Sequence, residues 1–177
     1  IATLPLDEYR NQVTKRIFDL IFSTIFLVTI FSWLYPLLAV LIKLDSKGPV
    51  FFIQLRNGLK NRPFGCYKFR TMGFEQNAEF KQATQNDPRI TRVGKFLRKS
   101  SFDELPQFIN VFKGEMSLIG PRPHPIKLNE DFAQKIAILT SRHYVKPGLS
   151  GLAQCMGYRG ETKTLEAMEN RVRLDRY

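Results

Sequence analysis

An uncharged hydrophobic segment near the N-terminus constrains this chain more than any other feature of its sequence. Residues 20–42 read LIFSTIFLVTIFSWLYPLLAVLI and contain no charged side chain between Asp19 and Lys43. A run of about 20 apolar residues matches the hydrocarbon thickness of a bilayer, whereas the helices of soluble cores are rarely so long. The segment is too long for the apolar region of a signal peptide, and no cleavage site follows it. The sequence therefore predicts that residues 20–42 lie in a membrane.

The charges and the proline around this segment bear on whether it crosses the bilayer. Basic residues occur on both sides of it, at Arg10, Lys15, Arg16, Lys43 and Lys47. A spanning helix usually carries its Lys/Arg excess on one side only. Pro36 removes the hydrogen bond to the Ser32 carbonyl and favours a kink. We expect a re-entrant helix that bends near Tyr35–Pro36 and returns to the same face; a plain span with a tolerated proline is the alternative.

The remaining sequence predicts an α+β domain that is mostly helical and has one β-hairpin. Residues 49–56 and 64–71 have strand character, and Asn57-Gly58 between them is typical of a two-residue turn. The alternation places Cys66 and Lys68 on one face of the second strand and Tyr67 and Phe69 on the other. Apolar residues at helical spacing predict surface amphipathic helices over 90–99, 105–112, 128–139 and from 164. Residues 75–87 are polar and predict a surface helix or loop, and residues 145–151 a loop.

Charge and composition narrow the function classes without choosing one. The net charge is +11, from 27 Lys+Arg and 16 Asp+Glu. This excess favours a polyanionic partner, which can be nucleic acid, anionic lipid or a phosphorylated substrate. The two cysteines, Cys66 and Cys155, have neither metal-ligand spacing nor a disulfide framework.

The densest group of polar residues lies between Arg98 and Pro123, around an Asp103-Glu104 pair. Adjacent side chains on a helix diverge by roughly 100°, so the pair does not share a proton. One carboxylate can act as a nucleophile or Mg²⁺ ligand while the other supports it. Alternatively, Ser101 to Glu104 form a helix capping box, although Pro106 weakens that interpretation. The local pattern leaves both interpretations open.

Several basic residues lie beside prolines or turns and are candidate phosphate ligands. Arg122 in Gly120-Pro-Arg-Pro123 is held in a stiff, extended loop, which suits bidentate phosphate binding. Lys146 precedes Pro147-Gly148, and Lys68 and Arg70 flank Phe69. Each of these charges, taken alone, is more typical of a solvated surface, and it is their repeated placement beside prolines or turns that favours phosphate binding. No P-loop or dinucleotide fingerprint is present, and His124 and His143 have no Ser or Cys partner for acyl transfer.

The ordered motifs of the chain resemble those of the bacterial sugar transferases, the monotopic phosphoglycosyl transferases. The resemblance is carried by KRIFDL, the Pro-interrupted hydrophobic helix, GPVFFIQLRNG, YKFRTM, DPRITRVGKFLRKSSFDELPQFINVFKGEMSLIGPRP and VKPGLSGLAQCMGYRGET. In detail it is similar to the branch of undecaprenyl-phosphate glucose phosphotransferases that start exopolysaccharide repeats. Members of that branch carry a further N-terminal membrane region, and we expect this chain to be part of a longer protein.

The resemblance implies roles for individual residues. Asp103 would be the nucleophile that attacks the β-phosphorus of a UDP-sugar and expels UMP, and Glu104 would assist it and the Mg²⁺ site. The sugar-phosphoryl-aspartate would then be attacked by undecaprenyl phosphate. Phosphate-binding roles fall on Lys68, Arg70, Arg98, Arg122 and Lys146. Lysine at position 146 lacks the bidentate fork of the arginine found there in some members, and Pro36 matches the break in the re-entrant helix.

The same resemblance implies an organisation, a location and partners. Residues 1–15 would be a linker, 16–44 the re-entrant membrane helix and 45–177 a catalytic domain that continues beyond Tyr177. The domain would face the cytoplasm at the bacterial inner membrane and bind a UDP-sugar, undecaprenyl phosphate, Mg²⁺ and membrane lipids, with homo-oligomers possible and no nucleic acid expected. The rival hypotheses are a membrane-anchored nucleic-acid binder, a non-catalytic scaffold for polysaccharide assembly, and a glycosyltransferase that releases UDP.

Overall fold

The computed structural model describes residues 8–73, 87–126, 139–158 and 165–175, and its first element is one long helix. This N-terminal helix, Tyr9–Asp45, is long and apolar enough to cross a membrane by length and composition. It consists of α1 (Tyr9–Phe26), a π-helical turn (Leu27–Phe31) and α2 (Ser32–Asp45). The predicted segments 75–87 and 128–139 lie almost wholly outside the described residues.

The irregularity of the N-terminal helix does not lie where the sequence predicted it. Pro36 is accommodated inside α2, and the helix departs from α geometry earlier, at Leu27–Phe31. Local π geometry is one way in which a helix accommodates the backbone groups that a proline disturbs. Thr29 and Ser32 donate their hydroxyls to the Ile25 and Val28 carbonyls, one turn back, which also favours bending. The predicted break at Tyr35–Pro36 is therefore not confirmed.

The predicted β-hairpin is present, with a longer turn than expected. Strands β1 (Phe51–Asn57) and β2 (Pro63–Phe69) pair antiparallel, and Asn57 is opposite Pro63. The connection therefore spans residues 58–62 and includes a 3₁₀ turn at Leu59–Asn61. The positive φ angles fall on Lys60 and Asn61, whereas Gly58 has a negative φ. The prediction of a two-residue Asn57-Gly58 turn was wrong because Asn57 is still paired within the hairpin, and the chain reverses over the five residues that follow it.

The helices after the hairpin include three that begin and end close to the predicted positions, over 90–99, 105–112 and from 164, and further short ones that were not predicted. They are α3 (Arg92–Ser100), a 3₁₀ turn (Phe102–Glu104), α4 (Gln107–Lys113), a 3₁₀ segment (Leu139–Tyr144), α5 (Leu152–Cys155) and α6 (Leu165–Leu174). Thr91 caps α3 by accepting a hydrogen bond from the Gly94 amide, and Gly114, with a φ of 86°, ends α4 in the left-handed conformation. Of the apolar residues of α3, Leu97 is buried and Phe96 is exposed.

A second, parallel sheet corrects the prediction of a single hairpin and of a loop at 145–151. Strand β3 (Ser117–Ile119) pairs with β4 (Gly148–Ser150). A Cβ added at Gly148 would lie 2.1 Å from the Gly120 nitrogen, so only glycine permits this approach. Sequence periodicity cannot detect strands of three residues.

Strand β2 separates two hydrophobic cores. On one face, Phe69 packs with Phe31, Leu34, Leu38 and Ile42 of the N-terminal helix and with Leu97 of α3. On the other face, Phe64 and Cys66 pack with Val111 and Met116. This confirms the predicted alternation in β2, which places Lys68 on the face opposite Phe69.

Polar contacts fasten both ends of the N-terminal helix to the same domain. Near its start, Arg16 donates to the Val111 and Phe112 carbonyls at the end of α4, each at 2.7 Å. The buried Asp19 carboxylate accepts from the Leu118 amide at 3.0 Å. At its end, Asp45 accepts from the Val93 amide at 2.9 Å. The domain therefore contacts this helix from its first turns to its last.

The close approach of α3 to the residues after β2 yields a stability prediction. A Cβ at Gly94 would lie 2.0 Å from the Thr71 carbonyl oxygen, and backbone cannot move aside cheaply. We expect Gly94→Ala to lower the free energy of unfolding by about 3 kcal/mol, measured by thermal or denaturant unfolding in detergent. The control is Gly73→Ala, whose Cβ would have its nearest neighbour at 4.0 Å. Equal stability of the two variants would contradict the packing described.

Candidate active site

Glu104 is the centre of a buried ion-pair cluster. Its carboxylate accepts from the Lys68 ammonium at 2.8 Å and from both terminal nitrogens of Arg122, at 2.5 and 3.1 Å. The three side chains are 11, 15 and 17% exposed for Glu104, Lys68 and Arg122. Burial alone would raise the pKa of Glu104, but Lys68 and Arg122 outweigh it and hold this pKa well below its usual range. Glu104 is therefore a fixed negative charge.

The backbone before Glu104 excludes the capping-box interpretation. Ser101 has a φ of 63° and forms the left-handed end of α3, and its side chain makes no capping bond. The left-handed residue turns the chain sharply into the 3₁₀ turn at Phe102–Glu104. The Glu104 side chain points to Lys68 and Arg122 rather than back to Ser101. The two carboxylates are thus presented by a tight turn between α3 and α4.

Asp103 differs from its neighbour in its partners. Within the described part of the chain, no side chain or amide donates a hydrogen bond to its carboxylate. Burial and the adjacent Glu104 charge raise its pKa, while Lys68, Arg98 and Arg122 act in the opposite direction. A partly desolvated carboxylate without donors keeps its oxygen lone pairs for another partner. Asp103 is therefore the candidate nucleophile of the pair and Glu104 the electrostatic support.

The loop that carries Arg122 is held by its backbone carbonyls. The Pro121 carbonyl accepts from the Gly148 amide at 2.9 Å, and the Pro123 carbonyl from Arg56 at 2.5 Å. The Arg122 carbonyl accepts from Arg142 at 2.7 Å. Prolines supply no amide donors, so these acceptors are the means by which the rest of the domain fixes the loop.

Two further arginines next to this cluster were missed as site residues by the sequence analysis. Arg56 is buried at the end of β1, close to Arg122, Glu104 and Asp103. Arg142 is buried in the 3₁₀ segment before β4. Neither lies in a local pattern that signals a site, because both reach it only through tertiary packing.

Not all the predicted phosphate ligands come together. Arg98 lies near Asp103 and donates its Nε–H to the Thr71 hydroxyl at 2.8 Å. Arg70 instead binds the end of the N-terminal helix, donating to the Ser46 carbonyl at 2.7 Å and to the Lys47 carbonyl. Arg70 therefore binds backbone at the end of this helix and lies apart from the Glu104 cluster, and its role as a phosphate ligand stays a prediction.

Lys146 is also separate from the Glu104 cluster. It is half-buried beside α1, where burial and the neighbouring Arg16 lower its pKa and Asp19 opposes this shift. The carbonyl of Lys146 lies against Gly120. The structure thus assembles Asp103, Glu104, Lys68, Arg98 and Arg122, and leaves Lys146 at the β3–β4 junction.

The residues fit a magnesium ion only in part. Among the described residues, no group of three or more His, Cys, Asp or Glu side chains is placed to hold a metal. Both Glu104 oxygens already accept from cations, whereas Asp103 accepts from no described donor. One carboxylate together with substrate phosphates is a common arrangement for Mg²⁺. Asp103 is the side chain that suits this role.

Comparison with known proteins decides the family of this chain. The family model described as bacterial sugar transferase matches residues 10–177. The chain belongs to the bacterial sugar transferase family.

Relatives in this family carry specific activities in their names. A UDP-glucose:undecaprenyl-phosphate glucose-1-phosphate transferase of Escherichia coli K12 is 50% identical over 93% of this chain and 36% of its own length. One with the same name from Caulobacter vibrioides is 42% identical over 97% of this chain and 64% of its own length. An Aeromonas hydrophila transferase named for N-acetylgalactosamine is 44% identical over 91% of this chain and 37% of its own length. The chain spans about a third of the length of several of these curated relatives.

The charge state of Glu104 gives a stability prediction with a defined pH dependence. Glu104→Gln leaves Lys68 and Arg122 buried without their counter-charge, and we expect a loss of about 3 kcal/mol in unfolding free energy at pH 7. Because the folded-state pKa of Glu104 lies below the ordinary 4.5, its contribution is complete above that value and is lost as the pH falls towards the folded-state pKa.

Denaturant unfolding of the wild type and Glu104→Gln between pH 7 and pH 3 measures this difference. The difference in unfolding free energy between the two proteins should be largest near pH 7 and should become smaller towards pH 3. Glu169→Gln, which removes an exposed carboxylate on α6, is the matched control and should change stability by less than about 0.5 kcal/mol. A gap that widens on acidification would contradict the ion pairing.

Proposed function

We propose that this chain is the catalytic domain of a phosphoglycosyl transferase, which moves a sugar-1-phosphate from a UDP-sugar to undecaprenyl phosphate. The observation that carries the proposal is the paired environment of the two carboxylates: Glu104 is neutralised by Lys68 and Arg122, and Asp103 beside it accepts no described donor. This arrangement suits a nucleophile held among cations where phosphate charge accumulates. The names of the E. coli and Caulobacter relatives agree with this reaction class.

The proposed reaction has two displacements at phosphorus. An Asp103 oxygen bonds to the β-phosphorus of the donor, and the bond from that phosphorus to the bridging oxygen breaks, so UMP leaves with the electron pair. A phosphate oxygen of undecaprenyl phosphate then attacks the same phosphorus, and the Asp103 carboxylate is released. Two steps allow UMP to leave before the second anion arrives, which limits the negative charge present at one time.

The cations of the cluster have separate tasks in this scheme. Lys68 and Arg122 hold Glu104 and lie close enough to Asp103 to act on its charge, and Arg98 also lies near Asp103. Fixed cations stabilise phosphoryl oxygens without reorganising at the moment of reaction. Mg²⁺, when bound through Asp103 and donor phosphates, would offset further diphosphate charge.

The sugar is proposed to be glucose. Two relatives that are 42 and 50% identical are named for glucose-1-phosphate transfer, whereas a relative at 44% is named for N-acetylgalactosamine. Since overall identity does not separate these two groups, UDP-glucose and UDP-N-acetylgalactosamine are the pair of donors to compare.

We further propose that the N-terminal helix is re-entrant and holds the domain on the cytoplasmic face of the inner membrane. A helix that crosses a bilayer places its ends about 30 Å apart on opposite sides, yet Arg16 and Asp45, near opposite ends, both bind the same domain. The outward face of the helix, in contrast, is apolar and exposed, including Ile21, Val28 and Trp33. Shallow insertion of that face would bring the site to the level of the acceptor's phosphate.

The first test of the proposed reaction is which nucleotide is released. With UDP-glucose, Mg²⁺ and undecaprenyl phosphate, the full-length protein should release UMP, and Asp103→Asn should reduce the rate by at least about 1,000-fold, because the nucleophile is lost. Arg173→Lys, a change at an exposed residue of α6, should be as active as the wild type. Release of UDP would identify a glycosyltransferase instead, and UMP release that is unaffected by Asp103→Asn would exclude this nucleophile.

The topology is tested with single cysteines at the two ends of the N-terminal helix. Tyr9→Cys and Lys47→Cys, in a full-length protein without other reactive cysteines, are treated with a membrane-impermeant maleimide in spheroplasts. Re-entry predicts that both positions are protected in intact spheroplasts and that both react after permeabilisation. Reaction of only one position in intact cells would demonstrate a spanning helix.

A further inference from the structure

The Pro121–Arg122–Pro123–His124 loop is bonded at four consecutive carbonyls. The Gly148 amide binds the Pro121 carbonyl, Arg56 the Pro123 carbonyl, and the Asn57 amide the His124 carbonyl. The Arg122 carbonyl is bound by Arg142 at 2.7 Å. Three of the four donors belong to the hairpin or to β4, which are regular elements. Arg142 is the exception, since it reaches the loop from the 3₁₀ segment Leu139–Tyr144.

Arg142 is anchored by partners from a different part of the chain. The nitrogen that binds the Arg122 carbonyl also donates to the Asp175 carboxylate at 2.7 Å, and both of these side chains are nearly fully buried. Its other terminal nitrogen lies 2.7 and 2.9 Å from the ring nitrogens of His124, which is itself 3% exposed. Arg171 of α6 approaches the same ring at 3.3 Å. The cluster therefore links the loop to the end of α6.

We propose that Arg142 is a positioning residue that acts through Arg122. Its hydrogen bond fixes the backbone carbonyl of Arg122, whose guanidinium binds Glu104. Arg142 therefore sets the direction in which the Arg122 side chain leaves the backbone. Arg142 does not itself touch Asp103 or Glu104: its described partners are His124, Asp175 and the Arg122 carbonyl. Docking of α6 through Asp175 is thereby coupled to the geometry of the candidate active site.

The charge state of His124 is consistent with this role of Arg142. Burial and the neighbouring arginines, Arg142 first, hold the pKa of His124 well below its usual range, so the imidazole is neutral. A neutral ring can accept from Arg142 and adds no repulsion. Asp175 then supplies the carboxylate that a buried guanidinium requires.

The first experiment measures the rate of UMP release and therefore rests on the proposed function. It asks whether the effect of changing Arg142 depends on Arg122. Arg142→Lys keeps the charge but cannot span three acceptors. We expect it to lower kcat/KM for UMP release by about tenfold to a hundredfold. In an Arg122→Lys background the same change should cost less than about twofold, because the group that it positions is already lost. An equal loss in both backgrounds would overturn the proposal, since a purely structural role would add independently.

A second measurement does not depend on the reaction. Residues 121, 123 and 125 are prolines, so hydrogen exchange of a peptide covering this loop reports mainly on the Gly120, Arg122 and His124 amides. Arg142→Lys should speed exchange there at least about tenfold, whereas Arg173→Lys, on the exposed side of α6, should leave it unchanged. Unchanged exchange in Arg142→Lys would overturn the proposal whichever nucleotide the wild type releases. If the wild type releases no UMP, the proposed function is refuted, but the positioning role of Arg142 is still decided by the exchange measurement.

Discussion

The ion pairs of Glu104 are the interaction on which the rest of this site depends. They join three segments that are distant in sequence: β2 through Lys68, the turn after α3 through Glu104, and the loop after β3 through Arg122. A buried charge without its partner costs several kcal/mol, so none of the three segments is stable in place unless the other two are present. The cluster therefore forms as a unit, and the neighbouring Asp103 is held wherever that unit places it.

Strand β2 connects the site to the apolar N-terminal helix. Successive residues of β2 point to opposite faces, so Lys68 faces Glu104 while Phe69 packs on Phe31 and its neighbours. A shift of β2 against the N-terminal helix would move Lys68 by the same amount. Rigid packing on one face and ion pairing on the other thus fix the height of the carboxylates relative to the helix, which matters for an enzyme whose proposed acceptor is a lipid phosphate.

Local patterns in the sequence predicted the elements whose structure is determined locally. The period-two alternation predicted both faces of β2 correctly, and the spacing of apolar residues over 105–112 predicted α4. The resemblance to a family indicated Asp103, Glu104, Lys68 and Arg122, which the structure brings together. The capping-box alternative for Ser101 was wrong because a left-handed residue there turns the chain out of α3.

The residues whose contacts the sequence did not reveal are those whose partners lie far along the chain. Arg70 is adjacent to a site strand, yet its donors serve the carbonyls at the end of α2, some 24 residues earlier. Arg142 is 20 residues from the carbonyl that it binds and 33 from Asp175. A guanidinium carries five donors, and neither periodicity nor spacing tells which backbone or substrate oxygens will take them. Only the packed fold shows which arginines bind backbone carbonyls and which lie beside the two carboxylates.

A search for the covalent intermediate tests directly whether Asp103 is the nucleophile. The full-length protein would be incubated with UDP-glucose and Mg²⁺ without a lipid acceptor, quenched, digested and analysed by mass spectrometry. We expect a hexose-phosphate adduct on the peptide containing Asp103, localised to that residue and removed when undecaprenyl phosphate is added before the quench. An adduct on Glu104 or on any other residue would contradict the division of roles between the two carboxylates, and so would acceptor-dependent turnover with no adduct at all.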